Sequence, residues 1–197
     1  SSQTASKIRY TKQMKNALIL HGTDANPSHN WFPSLKSILE DKDYKVWVPQ
    51  LPDAHRPNSE KYNTFLLNTE WSFDEESLII GHSSGAVEVL ALLEALPDNS
   101  VIDTAVLVGS FRGDLGWDNL SELVQKPLDL EKVRNRAKRF LVIHSDNDPF
   151  CPLEDARYYA KELNGELVII PEAQHFTPKR GGEKYKEGHF IMDLLSL

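Results

Sequence analysis

A serine flanked by glycines is the first feature of this chain that could perform covalent chemistry. The run GHSSG, residues 81–85, has the G-x-S-x-G spacing and lies between an apolar stretch, 77–80, and a helical pattern, 84–96. In a sharp strand-to-helix turn a serine presents its Oγ for nucleophilic attack, and the residues two before and two after it must be small. Both are glycine only if the turn is centred on Ser83, because centring it on Ser84 would place a histidine at a crowded position. We therefore predict that Ser83 is the nucleophile, although a glycine-rich turn with an incidental serine would give the same pattern.

A carboxylate is needed to orient the base that activates such a serine. In chains with this turn the acid follows the serine and precedes the histidine. Two aspartates, Asp146 and Asp148, follow the apolar stretch 139–143. Asp148 lies four residues before Pro152, which leads into a helical pattern, whereas Asp146 better suits a turn-capping role. We predict that Asp148 is the acid.

A histidine after the last apolar stretch is the expected general base. His175 lies in the loop that follows residues 166–170, where a base can reach the serine, whereas His189 lies within or just before the final helix. We therefore predict His175 as the base. The histidines do not have metal-ligand spacing, so we expect no metal. Cys151 is interpreted as a buried apolar filler rather than a reactive thiol.

Two backbone amides are predicted to stabilise the oxyanion of an acyl-transfer reaction. The amide of Ser84 begins the helix after the nucleophile, where the helix dipole favours negative charge. The amide of Thr23 follows the first apolar stretch, where this type of fold places its second donor. Aromatic residues near the ends of apolar stretches are candidates for an acyl pocket, although each could equally belong to the core: Trp31, Phe111 and Phe150.

The elements that must position these residues alternate between strand and helix patterns. Six short apolar runs predict buried parallel strands, and helical patterns lie between them, which predicts a six-stranded, mostly parallel sheet with helices on both faces. The segment 110–138 is expected to hold a loop with one or two short helices, either as a small cap or as a plain connection. The predicted strands are 16–20, 45–48, 77–80, 104–108, 139–143 and 166–170, and the predicted helices are 31–42, 84–96 and 153–163.

Length, charge and cysteine content narrow the class of protein. The 197 residues fit one domain, 16–197, preceded by a flexible tail, 1–15. The net charge of −7 disfavours nucleic acid as a partner. Because the sequence contains no run of eighteen apolar residues, we predict no membrane span. The single cysteine excludes an internal disulfide framework and favours a cytoplasmic location.

Sequence blocks along nearly the whole chain carry a family resemblance: LILHG, HNWFPSLK, LIIGHSSGA, DNDPFCP and EAQHF. With them the chain resembles the retinoblastoma-binding protein 9 and YdeN-like family of small serine hydrolases. The resemblance implies a single-domain α/β-hydrolase fold with a minimal cap or none, no cofactor, and a triad at Ser83, Asp148 and His175. The N-terminal extension and the segment 171–190 depart from the family pattern.

The predicted function is hydrolysis of a small-molecule acyl substrate: an ester, a thioester or an aminoacyl amide. Two other classes stay open. One is a binding or scaffolding protein with little turnover, because the family takes its name from a protein partner. The other is an enzyme that uses the same triad for another reaction, such as a haloperoxidase or lyase reaction. The sequence does not indicate an oligomeric state.

Overall fold

A six-stranded sheet forms the centre of the computed structural model, which describes residues 12–197. All of its strand pairs are parallel, in the order β2-β1-β3-β4-β5-β6. Most of the predicted tail lies outside the described residues, and residues 12–15 form neither helix nor strand. The strands are β1 (Asn16–Leu20), β2 (Lys45–Trp47), β3 (Ser77–His82), β4 (Ile102–Val108), β5 (Ala137–Ser145) and β6 (Glu166–Ile170).

Helices cover both faces of this sheet, as predicted. Helices α2 to α5 contribute to the apolar cluster on one face, and α1 and α6 contribute to the cluster on the other. The predicted fold class is therefore confirmed. The helices are α1 (Phe32–Glu40), α2 (Ser59–Leu67), α3 (Ser84–Ala95), α4 (Leu130–Arg134), α5 (Leu153–Glu162) and α6 (His189–Leu195), with short 3-10 turns at Asp118–Leu120 and Glu183–Lys186.

The strands differ in burial in a way that the sequence did not predict. Strands β1 and β3 are buried along their whole length, as continuous apolar runs in a parallel sheet should be. Strands β2 and β6 are the two edges and are only partly buried, so the prediction that all six strands are buried was wrong for these two. Their exposed positions hold Lys45 in β2, and Glu166 and Ile169 in β6.

Helix α3 connects the buried centre of the fold to the carboxyl edge of the sheet. It is apolar nearly all round and packs on both β1 and β3, and it begins directly after Ser83. The segment 110–138 contains one 3-10 turn and α4, in agreement with the predicted loop and short helices. None of the helices within residues 12–197 is long and apolar enough to span a bilayer.

Candidate active site

The turn between β3 and α3 holds Ser83 in a strained backbone conformation. Its φ is 57° and its ψ is −122°, and its amide donates to the carbonyl of Val108 at 2.9 Å. A Cβ at Gly81 would overlap the backbone of Gly85, and a Cβ at Gly85 would overlap the carbonyl oxygen of Leu20. Both glycines are therefore required by close backbone contacts, as the spacing predicted.

Asp148 and His175 form a buried pair beside this turn. The Nδ1 of His175 lies 2.7 Å from the Oδ2 of Asp148, and the two side chains are 11% and 1% exposed. The other carboxylate oxygen accepts hydrogen bonds from the amides of Phe150 and Cys151 at 2.8 and 2.9 Å. Burial alone would raise the pKa of Asp148, but the hydrogen bond and charge of His175, with the two amides, outweigh it and lower the pKa. Asp148 is therefore held as a carboxylate.

The loop that carries His175 is fixed by side chains from the end of β5. The amide of Gln174 donates to Asn147 at 2.9 Å, and the amide of Glu172 donates to Asp146 at 2.8 Å. Residues 172, 174 and 176 all have positive φ although none is glycine. Such a backbone persists only where neighbouring groups hold it. The structure thus places Asp146 in a loop-capping contact, while Asp148 contacts the histidine.

Three buried histidines fix the loops around the site, a role that the sequence analysis missed. His82 donates from Nε2 to the carbonyl of His175, and His144 donates from Nε2 to the carbonyl of Cys151, both at 2.8 Å. His21 accepts from the amide of Leu51 at 2.9 Å and donates from Nδ1 to the carbonyl of the next residue at 2.8 Å. The sequence feature that could have identified them is their position, because each of the three histidines lies at or just beyond the carboxyl end of a buried strand.

These three rings are neutral in the folded protein. Burial, then the nearby His175, lowers the pKa of His82 to about 3. Burial also lowers the pKa of His21 and of His144. A neutral imidazole has one N–H donor, and in each ring a backbone carbonyl accepts from it.

The two residues predicted to supply oxyanion donors are in contact. The Oγ1 of Thr23 donates to the Oγ of Ser84 at 2.9 Å, which links the loop after β1 to the first turn of α3. The first amides of a helix lack intrahelical acceptors, so the amide of Ser84 is available as a donor. Gly22 lies so close to Ser83 that a Cβ on it would be 3.2 Å from the serine Cβ.

A cavity of about 690 Å³ opens over these residues and has two different walls. The segments after β4 and β5 supply an apolar wall, which includes Phe111, Leu115, Trp117, Leu120 and Phe150. The segments after β1 and β6 supply a polar wall, which includes Asp24, His29, Asn30, Thr177, Lys179 and Lys186. Ser83 and His175 both line this cavity.

Trp31 does not line the cavity, unlike the other two aromatic residues predicted there. It is fully buried in the core, where its ring packs on His82 and its indole N–H donates to the carbonyl of Phe176 at 3.1 Å. It lies one residue before α1, which turns its side chain under the loop of the base rather than toward solvent. The sequence showed an aromatic residue near a strand end but not the direction of its side chain.

Cys151 lies beside the acid and the base. Donor atoms of Asp148, Cys151 and His175 lie within 4.8 Å of one another, a separation that could suit a metal ion. Burial strongly raises the pKa of the Cys151 thiol, which disfavours the thiolate that a metal would require. Asp148 and His175 already bond each other, so their geometry favours an acid–base pair.

Comparisons with known proteins found a matching family model and two related sequences. A family model described as serine hydrolase matches residues 17–194. The chain is 26% identical to YdeN of Bacillus subtilis over 168 residues, 85% of this chain and 88% of YdeN. It is 26% identical to the serine hydrolase RBBP9 of Rattus norvegicus over 152 residues, 76% of this chain and 79% of RBBP9.

Solved structures show the same fold. The crystal structure of the ydeN gene product from B. subtilis matches with a TM-score of 0.85 and 24% identity, over 92% of this chain and 97% of the other. Est1E from Butyrivibrio proteoclasticus with bound ferulic acid matches with a TM-score of 0.68 and 16% identity, over 94% and 91% of the two chains. At these identities the likeness concerns the fold alone.

Proposed function

The chain belongs to the serine hydrolase family, and from this premise we propose that it hydrolyses small carboxylic esters through a triad of Ser83, His175 and Asp148. The observation that carries the proposal is the 2.7 Å contact between His175 Nδ1 and Asp148, on the wall of the cavity that Ser83 also lines. Because this contact occupies Nδ1, it leaves Nε2 as the nitrogen that can exchange a proton with a serine hydroxyl.

The reaction proceeds through an acyl-enzyme. The Oγ of Ser83 attacks the ester carbonyl while Nε2 of His175 takes the hydroxyl proton, and Asp148 stabilises the imidazolium that forms. The amides of Thr23 and Ser84 donate to the negatively charged oxygen of the tetrahedral intermediate. The C–O bond to the alcohol then breaks, and His175 returns the proton to the departing alcohol.

Water completes the cycle by the same steps. His175 takes a proton from a water molecule, the resulting hydroxide attacks the acyl carbon, and the bond to Ser83 breaks as the serine recovers its proton. The products are one carboxylic acid and one alcohol. Thioesters and aminoacyl amides can follow the same path, because the attacking and acid–base groups act on the carbonyl and not on the leaving group alone.

The direct test is labelling with a fluorophosphonate probe combined with turnover of 4-nitrophenyl acetate. We expect labelling and turnover in the native protein, and loss of both in Ser83→Ala and His175→Ala variants whose circular dichroism is unchanged. Ser28→Ala is the matched control because Ser28 is a second serine lining the same cavity. A folded native protein that is neither labelled nor active would contradict the proposal and favour the binding or scaffolding class instead.

A further inference from the structure

The two walls of the cavity differ in chemistry and come from different segments of the chain. In the sheet order, β1 lies on one side of β3, and β4, β5 and β6 lie on the other, so the segment after β6 crosses the site to reach the segment after β1. The segment after β4 joins the one after β5 through the contact of the Trp117 and Phe150 rings, with centroids 5.7 Å apart. Together they form the apolar wall.

The segment after β6 joins the segment after β1. The indole of Trp31 donates to the carbonyl of Phe176, and Ser34 both donates to Glu187 at 2.8 Å and accepts from the amide of Gly188 at 3.1 Å. These contacts anchor Phe176, Glu187 and Gly188 beside α1. The polar wall is therefore one connected surface, and it meets the apolar wall where the guanidinium of Arg180 lies 5.5 Å from the centroid of the Phe150 ring.

Positive charge exceeds negative charge on this polar wall, although the chain as a whole has a net charge of −7. Lys179 and Lys186 both line the cavity, and Asp24 is the carboxylate that lines it with them. The Oδ1 of Asp24 is 2.8 Å from the Nδ1 of His55. Lys186 also contacts Glu183, an exposed pair whose attraction is screened by solvent. The polar wall therefore presents two ammonium groups to a substrate.

We propose that the substrate is an ester with an apolar group on one side of the scissile bond and a free carboxylate on the other, the carboxylate bound by Lys179 and Lys186. This inference rests on the proposed esterase function of the same site. The apolar group lies against Phe111, Leu120 and Phe150, where its burial contributes to binding. The carboxylate stays near solvent at the polar wall, so it keeps part of its hydration and gains the attraction of two cations.

Two matched pairs of esters test this substrate class. The first pair is 4-nitrophenyl hexanoate and the mono-4-nitrophenyl ester of adipic acid, which differ by a carboxylate at the end of the acyl group. The second pair is 4-acetoxyphenylacetic acid and its methyl ester, which differ by a carboxylate on the leaving group. We expect the anionic member of one pair to have the higher kcat/KM, by about threefold to tenfold, the size that two exposed ion pairs confer. The preference should fall as salt is added.

Variants of the two lysines decide whether the polar wall causes the preference. The Lys179→Gln/Lys186→Gln double variant should lose the preference, and Lys179→Glu/Lys186→Glu should reverse it. The matched control is Lys184→Gln/Lys161→Gln, which removes the same charge at positions outside the cavity and should keep the preference.

Two negative results have different meanings. Turnover of the neutral esters that depends on Ser83, without a preference for either anionic ester, would overturn this inference alone. A preference that survives in the Lys179→Gln/Lys186→Gln variant would also overturn it. Absence of Ser83-dependent turnover on all four esters would overturn the proposed function itself.

Discussion

Asp146 and Asp148 stand two residues apart on one loop but have different surroundings. Asp148 is 1% exposed at its side chain and accepts from two amides and from His175. Asp146 is exposed and accepts from the amide of Glu172. The two amides fix the position of the Asp148 carboxylate independently of His175, so the carboxylate selects one orientation of the imidazole ring.

Replacing Asp148 with asparagine should abolish most activity without unfolding the protein. An asparagine amide can offer its N–H to His175, which would favour the wrong imidazole tautomer, and it cannot stabilise the imidazolium. We expect kcat for 4-nitrophenyl acetate to fall by about 10³- to 10⁴-fold, as in other triads that lose the acid's charge. The measurement is steady-state kinetics with circular dichroism as the check on folding.

Asp146→Asn is the control for this variant. Its remaining amide oxygen can still accept from the amide of Glu172, which keeps the contact that fixes the loop. Activity should therefore stay within about twofold of the native value, because the loss of one charge at an exposed side chain has small effects. If the two variants lost activity equally, the distinct role of Asp148 would be wrong.

Residue types and spacing predicted that Asp148 pairs with His175, but not the direction in which large side chains point. The small residues at positions 81 and 85 and the order of serine, aspartate and histidine can be read from the chain itself. The structure places Asp148 and His175 in contact, and Ser83 and His175 line the same cavity. Trp31 was placed wrongly because its direction depends on packing against His82 and the chain at Phe176. The loop-fixing histidines have no motif, since their partners are backbone carbonyls from distant segments.

At the scale of elements, the crossing of α3 over β1 depends on one glycine. A Cβ on Gly85 would overlap the carbonyl of Leu20, and the atoms that it meets are backbone. Gly85→Ala should therefore separate α3 from β1 and lower the free energy of unfolding by about 1–3 kcal/mol, the usual cost of overpacking. Activity should fall as well, because Ser83 is at the start of the same helix. Urea unfolding and ester turnover measure the two effects.

Ala95→Val on the same helix is the comparison for this prediction. Ala95 is exposed at the last position of α3, so its larger side chain extends into solvent. The variant should change the free energy of unfolding by less than about 0.5 kcal/mol. Equal losses in both variants would indicate general sensitivity of the helix rather than a close contact at Gly85.

The elements that sequence patterns missed are those whose burial is set by tertiary arrangement. Helix α2 was not predicted. It buries only Tyr62 and Leu66, while Phe65 and Leu67 remain partly exposed, so its apolar residues do not form one clear face of a helix. Its Asn58 cap, which accepts from Lys61, was the one available signal. Strands β2 and β6 have the apolar composition of central strands, and only the order of strands makes them edges.

At the scale of the whole molecule, buried ionisable groups give stability two opposite dependences on pH. Glu88 is fully buried in α3, and its two carboxylate oxygens have no hydrogen-bond partner among residues 12–197. Burial raises the pKa of Glu88 well above its ordinary value of 4.5, while burial lowers the pKa of His21, His82 and His144 below 6.5. Folding therefore favours the neutral form at all four positions.

The sign of each pH dependence follows from whether the unfolded or the folded state binds more protons. Above about pH 4.5 the unfolded chain ionises Glu88 while the folded protein keeps it protonated, so stability falls as pH rises toward the folded pKa. Below about pH 6.5 the unfolded chain protonates its histidines while the folded protein keeps His82 neutral down to about pH 3, so stability falls as pH decreases. The two contributions overlap in the native protein and are separable only in variants.

Glutamine at either position removes a titrating group and keeps polar atoms, which separates the two effects. Relative to the native protein, Glu88→Gln should gain stability as pH is raised from about 5 to about 8, and His82→Gln should gain stability as pH is lowered over the same range. Each slope should be at most about 1.4 kcal/mol per pH unit, because each variant removes one proton. Urea unfolding followed by tryptophan fluorescence at each pH gives both difference curves, and each variant serves as the control for the other. Slopes of the same sign would contradict the assignment of these groups as neutral in the folded state. Opposite slopes would show that the buried Glu88 lowers the free energy of unfolding at high pH and that the buried His82 lowers it at low pH.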